Sequence, residues 1–83
     1  MAVSIDIGHT PNYASVYIGN LVLHFSYRTV IAFDGPDDGA VSENVWGPTT
    51  GKHLNRIQPG KSQRVSRDEF TARLDAQLAK LGL

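Results

Sequence analysis

Apolar and polar residues alternate near the start of the chain, a pattern typical of half-buried β-strands. Val3, Ile5 and Ile7 alternate with polar residues and predict a short first strand. The next β-rich segment is interrupted by Gly19-Asn20. Glycine easily adopts a positive φ at the first central position of a type II′ turn. We therefore expect a hairpin whose strands are joined by these two residues.

The hairpin also predicts which residues face one another. A two-residue loop pairs Ile18 with Leu21 and Val16 with Leu23, and facing residues share one side of a sheet. The predicted apolar face contains Val16, Ile18, Leu21, Leu23 and Phe25. The predicted outer face contains Tyr17, Val22, His24 and Ser26.

A third strand is expected at residues 29–33, where the sequence TVIAF is almost entirely apolar. A strand without alternation is usually covered on both faces. The second cover is expected to be either the C-terminal helix or another subunit. Residues 34–39 form an acidic turn, expected to be exposed, and residues 40–44 are expected to form a further strand.

The C-terminal segment predicts an amphipathic helix. Ser66 and Glu69 form a capping box, and Lys80 with Gly82 suits a helix end. Its apolar stripe at helical spacing consists of Phe70, Leu74, Leu78 and Leu81.

A shorter helix is predicted at residues 49–57, with a threonine capping its start. Trp46 is expected to lie in the core, because Leu54 and Ile57 follow it at helical spacing. Strands first and helices last indicate an α+β fold in one domain, residues 1–83. We expect a small antiparallel meander of four to five strands, then the short helix, then the C-terminal helix packed on the sheet.

Composition restricts the function classes. The chain has 83 residues and no cysteine, which excludes disulfides and zinc held by thiolates. The N-terminus lacks the pattern of a signal peptide, and no apolar run approaches the ~20 residues that span a bilayer. The expected location is therefore cytoplasmic, with no membrane partner.

Charge is unevenly distributed although the net charge is zero. Arg28 is the only lysine or arginine in residues 1–51, whereas residues 52–67 contain no acid. Aromatic side chains beside basic ones are typical of proteins that hold single-stranded nucleic acid. The predicted nucleic-acid contacts are Arg28, Lys52, His53, Arg56, Lys61, Arg64 and Arg67.

The segment GPTTGKH looks like a nucleotide-binding loop but does not have its spacing. A P-loop separates its glycines by four residues and ends in Lys-Ser or Lys-Thr. Here three residues separate the glycines, and His53 follows the lysine. A bare anion site at the helix N-terminus, formed by Thr49, Thr50 and Lys52, stays open.

No enzymatic activity, metal or cofactor is expected. The three histidines lack the spacing of a helical metal site, and no nucleophile motif is present. His24 is expected to be a solvated or stacked surface histidine. We therefore expect no catalytic residues.

Two segments carry a family resemblance. His24–Phe33 contains Ser-Tyr-x-Thr-x-Ile-Ala-Phe, and Glu43–Ile57 contains Asn-x-Trp-x-x-Thr-Thr-x-Lys-His-Leu. With the segment Val65–Phe70, they resemble a family of small uncharacterised proteins encoded by bacteriophages and by archaeal viruses or related mobile elements. The resemblance covers about the central half of the chain. It implies a viral origin and a location in the host cell, and it names no catalytic residue.

The leading hypothesis is a non-enzymatic phage accessory protein that binds a macromolecule, with nucleic acid as the best guess. The alternative is a protein-interaction module that redirects a host protein or assembles into a homodimer. A third hypothesis is an enzyme that uses the anion site at residues 49–52. The interface expected for the alternative consists of Tyr17, Val22, His24, Ile31 and Phe33.

Overall fold

The fold, seen in a computed structural model, is a five-stranded antiparallel sheet followed by two helices. The structure describes residues 3–7, 12–57 and 63–83. The elements are β1 (Val3–Asp6), β2 (Tyr13–Ile18), β3 (Leu21–Ser26), β4 (Thr29–Asp34), β5 (Gly39–Val41), α1 (Pro48–Ile57) and α2 (Arg67–Lys80). The predicted α+β class is confirmed.

The sheet is a simple meander in which neighbouring strands follow one another in the chain, in the order β1-β2-β3-β4-β5. Ile18 pairs with Leu21 and Val16 with Leu23, so the predicted hairpin register is confirmed. Gly19 has a φ of +57°, as the predicted turn requires. Residues 8–11, between β1 and β2, lie outside the described residues.

One face of the sheet is covered by α2. Ser66 caps this helix, and its Oγ accepts a hydrogen bond from the Glu69 backbone N–H at 3.2 Å. Phe70 packs with Leu21 and Phe33 in the buried core, and its ring meets that of Phe33 edge to face at 5.7 Å. The remaining predicted stripe residues, Leu74, Leu78 and Leu81, pack around this cluster.

The other face of the sheet is covered by α1. Leu54 of this helix is fully buried, and Thr50 and His53 contact Ser26 at the end of β3. Ser26 faces away from the α2 side, because it is an odd number of residues from Leu23 along the strand. The second cover of β4 is therefore α1, and neither α2 nor another subunit is needed there.

The predicted strand at residues 40–44 is shorter than expected and ends at Val41. Beyond it the chain makes a single parallel bridge between Ser42 and Val65, flanked by hydrogen bonds of 2.8 and 2.9 Å. The segment before α2 thus lies along the edge of β5. Its backbone satisfies groups that an open edge would expose to solvent.

The acidic turn between β4 and β5 is joined to α2. Arg73 donates to both carboxylate oxygens of Asp38, at 2.9 and 2.6 Å, and to the Gly39 carbonyl at 2.7 Å. Hydrogen bonding from the arginine holds the pKa of Asp38 below its usual value. Lys80 lies 3.5 Å from Asp37. The acidic turn is therefore partly neutralised by Arg73 and Lys80 of α2.

Neither helix among the described residues is both long enough and apolar enough to cross a membrane.

Candidate functional site

A cleft of about 340 Å³ lies between the β3–β4 turn and the start of α1. We call it the aromatic cleft, because Tyr27 and Trp46 belong to its lining. Hydroxyl groups and one aliphatic side chain complete most of its surface. These further lining residues include Thr29, Ile31, Thr49 and Thr50.

Tyr27 occupies the tight turn between β3 and β4 in a left-handed conformation, with a φ of +57°. This conformation is uncommon for a residue with a bulky side chain and costs free energy. The Tyr27 backbone N–H donates to the Asn12 carbonyl at 2.7 Å, which holds the turn. The side chain is 56% exposed. The turn thus presents an aromatic ring to solvent beside the cleft.

Trp46 lies in the turn just before α1, which the Asn44 side chain holds in place. Asn44 Oδ1 accepts hydrogen bonds from the backbone N–H groups of Trp46, at 3.0 Å, and Gly47, at 3.2 Å. Asn44 Nδ2 donates to the Gly47 carbonyl at 3.0 Å. Trp46 is 40% exposed, so its predicted place in the core is wrong.

The same asparagine accounts for a glycine in GPTTGK. A Cβ at Gly51 would lie only 2.9 Å from Asn44 Nδ2, closer than real Cβ atoms approach such a group. The glycine therefore makes room for the amide that organises the turn. The helix begins at Pro48, whose missing N–H costs nothing at a first helical position. Gly51 N–H donates to the Gly47 carbonyl at 2.9 Å, so the predicted threonine cap is wrong.

Arg67 packs against the Trp46 ring of the cleft. Its guanidinium carbon lies 4.9 Å from the centroid of the Trp46 ring and 4.8 Å from that of Phe70. Its Nη1 donates to the Val30 carbonyl at 3.2 Å. Such a cation over an aromatic face is attractive. Arg67 therefore links Trp46 to α2, and one of its N–H groups is taken up by the Val30 carbonyl.

A buried chain of hydrogen bonds joins α1 to the sheet below the cleft. Ser26 Oγ lies 2.7 Å from His53 Nδ1 and 2.9 Å from Thr50 Oγ1. The rings of Tyr13 and Tyr27 lie 5.4 and 6.3 Å from the His53 ring. His53 is only 3% exposed. These contacts fix the first turns of α1 and hence one wall of the cleft.

Two predicted contact residues are corrected by this network. His53 cannot reach a nucleic acid, because its side chain is buried against the sheet. Thr50 is buried as well, and its hydroxyl is bonded to Ser26, so it is not available to the anion site. Thr49 and Lys52 remain exposed. Polar residues on a helix can face a polar sheet surface, which spacing alone did not reveal.

His24 forms a second polar cluster on the α1 side. Its Nδ1 lies 2.9 Å from Tyr13 Oη and 3.2 Å from Ser15 Oγ, and either hydroxyl can donate to the unprotonated nitrogen. Burial lowers the pKa of His24, and the nearby Asp34 carboxylate opposes this shift in part. The side chain is half-buried and its ring lies 6.2 Å from that of Tyr13, so of the two expected states His24 is not the fully solvated one.

The predicted basic residues that the structure describes differ in exposure and in hydrogen bonding. Arg28, Lys52 and Arg56 are exposed, whereas Arg64 Nη2 donates to Asn55 Oδ1 at 2.8 Å. Lys61 lies outside the described residues. Thr49, Lys52 and Arg56 are spaced so that they share one exposed side of α1. Among the described residues, the exposed cations nearest in sequence to the cleft lining are Arg28, beside Tyr27, and Lys52.

The predicted interface is also altered. Ile31 and Phe33 are buried by the chain itself, one lining the cleft floor and the other in the α2 core. They cannot contact another protein without unfolding. Val22 and His24 are half-buried, and Tyr17 is exposed. Strand β4, which is apolar on both faces, is covered by α1 on one face and by α2 on the other.

The lining of the aromatic cleft was largely missed as a site. Tyr27, Trp46 and Thr29 are not among the predicted contacts. One usable signal was present, because both segments of the family resemblance contribute to the same cleft. Ser26, Tyr27, Thr29 and Ile31 come from the first segment, and Trp46, Thr49 and Thr50 from the second.

In the described part of the chain, histidine and carboxylate side chains do not gather in groups that could hold a metal ion.

Comparison with known proteins assigns a family but no activity. No curated protein and no solved structure matches the chain. One family model matches residues 5–72, which include the whole sheet after the first two residues of β1, all of α1 and the start of α2. The viral setting implied by the sequence resemblance stays a prediction. The chain belongs to DUF8033, a family of unknown function.

Proposed function

We propose that the protein binds single-stranded nucleic acid, with an unpaired base stacked against the aromatic cleft. The observation that carries the proposal is the pair of partly exposed rings, Tyr27 and Trp46, beside one cleft of about 340 Å³. Every base has a π-face, so stacking on aromatic side chains tolerates any sequence. Each stacked base contributes about 1–3 kcal/mol.

The placement of the rings favours a single strand over a duplex. Bases in a duplex are already stacked and expose only their edges in the grooves, whereas an unpaired base can be turned outward onto a side chain. Tyr27 projects from a tight turn and Trp46 from the chain just before α1. A splayed base can approach both, and a paired base cannot.

Electrostatics contribute a smaller part of the proposed affinity. Arg28 neighbours Tyr27 in the turn, and Lys52 follows Thr49 by three residues, on the same side of α1. If these two cations each neutralise one phosphate, the logarithm of the binding constant should fall with that of salt concentration with a slope of about −1.4. The net charge of zero agrees with such a shallow dependence. Stacking, and not charge, then dominates binding.

The proposal is tested by fluorescence anisotropy of a labelled oligothymidine at low ionic strength, with a hairpin duplex as competitor. We expect the single strand to bind more tightly than the duplex. Tyr27→Ala should weaken binding about tenfold, because it removes one stacking surface. Lys52→Gln should reduce the magnitude of the salt slope by about 0.7.

Tyr17→Ala is the matched control. Tyr17 is an exposed tyrosine on β2, four residues from the end of that strand nearest the cleft. Its removal should leave the affinity unchanged. Absence of single-strand binding at low salt would overturn the proposal, as would equal losses in the Tyr17 and Tyr27 variants. Thermal unfolding of each variant shows that the fold is retained.

A further inference from the structure

The first strand presents an apolar edge that differs from the rest of the surface. Val3, Ile5 and Ile7 are between 62% and 68% exposed, although they alternate as core-facing residues do. β1 lies at the edge of the sheet, and in the described residues it pairs only with β2. Natural proteins usually protect such edges with lysine, proline or a covering segment. Asp6 is the single charge in this strand.

The opposite edge of the sheet, at β5, is protected by the segment before α2, in contrast to the edge at β1. Val65 bridges to Ser42 beside β5, and both flanking backbone hydrogen bonds are shorter than 3.0 Å. β5 is also only three residues long. Among the residues that the structure describes, one edge of the sheet is thus closed, and the longer, more apolar edge at β1 has no strand beside it.

The apolar surface at β1 continues the face that α2 covers. Val3 pairs with Ile18 and Ile5 with Val16, on the sheet face that also contains the core residue Leu21. The core around α2 draws its packed residues from β3, β4, β5, α2 and the segment before α2. Val16 and Ile18 are consequently only half-buried. Helix α2 therefore covers only part of this apolar sheet face and leaves the part at β1 and β2 less buried.

We propose that a second copy of this chain pairs with the first through β1, antiparallel and about a two-fold axis. The pattern Val3-Ser4-Ile5-Asp6-Ile7 is symmetric in polarity about Ile5. Pairing centred there places Ile5 opposite its counterpart and Val3 opposite Ile7. Ser4 then faces Asp6, so each hydroxyl can donate to a carboxylate across the junction.

The alternative registers are worse. A shift of one residue would bring apolar side chains opposite polar ones, since facing residues share a sheet face. A shift that centres the pairing on Asp6 would put two like charges opposite each other, which is destabilising. Charge and polarity therefore favour the register centred on Ile5 over both of these, and the self-complementary pattern fits a second copy of this chain. An isologous contact of this kind closes as a dimer and does not propagate.

The dimer is expected to be weak and dependent on concentration. Stable complexes bury about 1,200–2,000 Å² in total. A junction of five residues on each side falls below that range by its length alone. The aromatic cleft belongs to β3, β4 and α1, so pairing through β1 leaves it open. Self-association and nucleic-acid binding are thus independent and can fail separately.

Disulfide trapping tests both the dimer and its register, because the native chain contains no cysteine. Ile5→Cys places two thiols opposite each other, and facing Cα atoms at about 4.5–5.5 Å suit a disulfide. Ser4→Cys is the matched control. In the proposed register its two copies are offset by two residues, roughly 8 Å apart, which is too far to bridge.

We expect Ile5→Cys to form a covalent dimer under mild oxidation much faster than Ser4→Cys. Sedimentation of the native protein should show dimer growing with concentration, and Ile5→Lys should abolish it by placing two cations on the axis. Equal trapping of both cysteine variants would overturn the proposal. A native protein that stays monomeric up to millimolar concentration would overturn it too. The edge of β1 would then be a candidate contact for a different protein. Circular dichroism of each variant confirms that the exposed substitution leaves the fold intact.

Discussion

The two faces of the sheet are held to their helices in different ways. On the α2 face, Phe70, Leu21 and Phe33 exclude water from a closely packed apolar cluster. On the α1 face, Ser26 is hydrogen-bonded to Thr50 and His53. Apolar burial is non-directional and stabilises whatever packs closely. Hydrogen bonds demand distance and angle, so they position a helix end accurately. The aromatic cleft lies on the α1 face, where these hydrogen bonds set the position of the helix.

The largest expected effect comes from removing the centre of the α2 face. Phe70→Ala leaves a cavity beside Leu21 and Phe33, and such substitutions cost about 3–5 kcal/mol. A small domain has little more than this in total, since native proteins are stable by about 5–15 kcal/mol. We expect urea unfolding, followed by circular dichroism, to show a largely unfolded or severely destabilised variant. A loss below about 1 kcal/mol would contradict the proposed core.

A smaller effect is expected on the α1 face. Ser26→Ala removes the hydrogen bonds that Ser26 makes with Thr50 Oγ1 and His53 Nδ1, and the loss of a buried hydrogen-bond partner costs about 1–3 kcal/mol. The same change should also weaken oligonucleotide binding, because the wall of the cleft is no longer fixed. Thr71→Ala, at an exposed position of α2, is the control and should change neither property. If Ser26→Ala were as stable as the native chain, the hydrogen-bonded contact would not position α1.

The two faces should also respond differently to pH. Burial lowers the pKa of His24 in the folded state, so between that value and 6.5 the unfolded chain binds more protons. Stability should therefore fall as the pH drops through 6.5, and should be recovered above it. Thermal unfolding at pH 7.5 and pH 5.5 measures this change. His24→Gln should flatten the dependence, and an unchanged slope in that variant would assign the effect to another group.

The smallest effect is expected where α2 meets the acidic turn. Arg73→Gln removes two hydrogen bonds to Asp38, one to the Gly39 carbonyl and one to Glu69, but the charged groups are substantially exposed. Exposed ion pairs contribute little to stability and are screened by salt. We expect a loss of stability smaller than that of Ser26→Ala, and a difference from the native protein that narrows in 1 M salt. A loss as large as that of Phe70→Ala would show that this contact is part of the core.

The α2 face could be predicted from the sequence because its signals are local. The spacing of Phe70 and Leu74 defines a stripe, Ser66 and Glu69 define a cap, and Gly19 defines the register of the hairpin. Each signal operates within one element or one turn. The pattern is therefore visible before the chain is folded.

The α1 face could not be predicted in the same way. Ser26 meets His53 across 27 positions of sequence, and no periodicity encodes a hydrogen bond between a strand end and a helix. Trp46 was placed in the core by its spacing from Leu54, but the amide of Asn44 turns the backbone there and leaves the ring outside. Apolar spacing indicates that a residue can be buried. Whether it is buried depends on contacts made elsewhere in the fold.

The proposed role of the aromatic cleft is tested most directly by the fluorescence of Trp46, the only tryptophan in the chain. A base that stacks on this ring should quench its emission, so titration with oligothymidine at low salt reports contact at the cleft itself. We predict saturable quenching by the single strand, much weaker quenching by a duplex of equal length, and a loss of affinity in Tyr27→Ala. Emission that stays unchanged while the oligonucleotide binds would place the contact elsewhere and contradict the account.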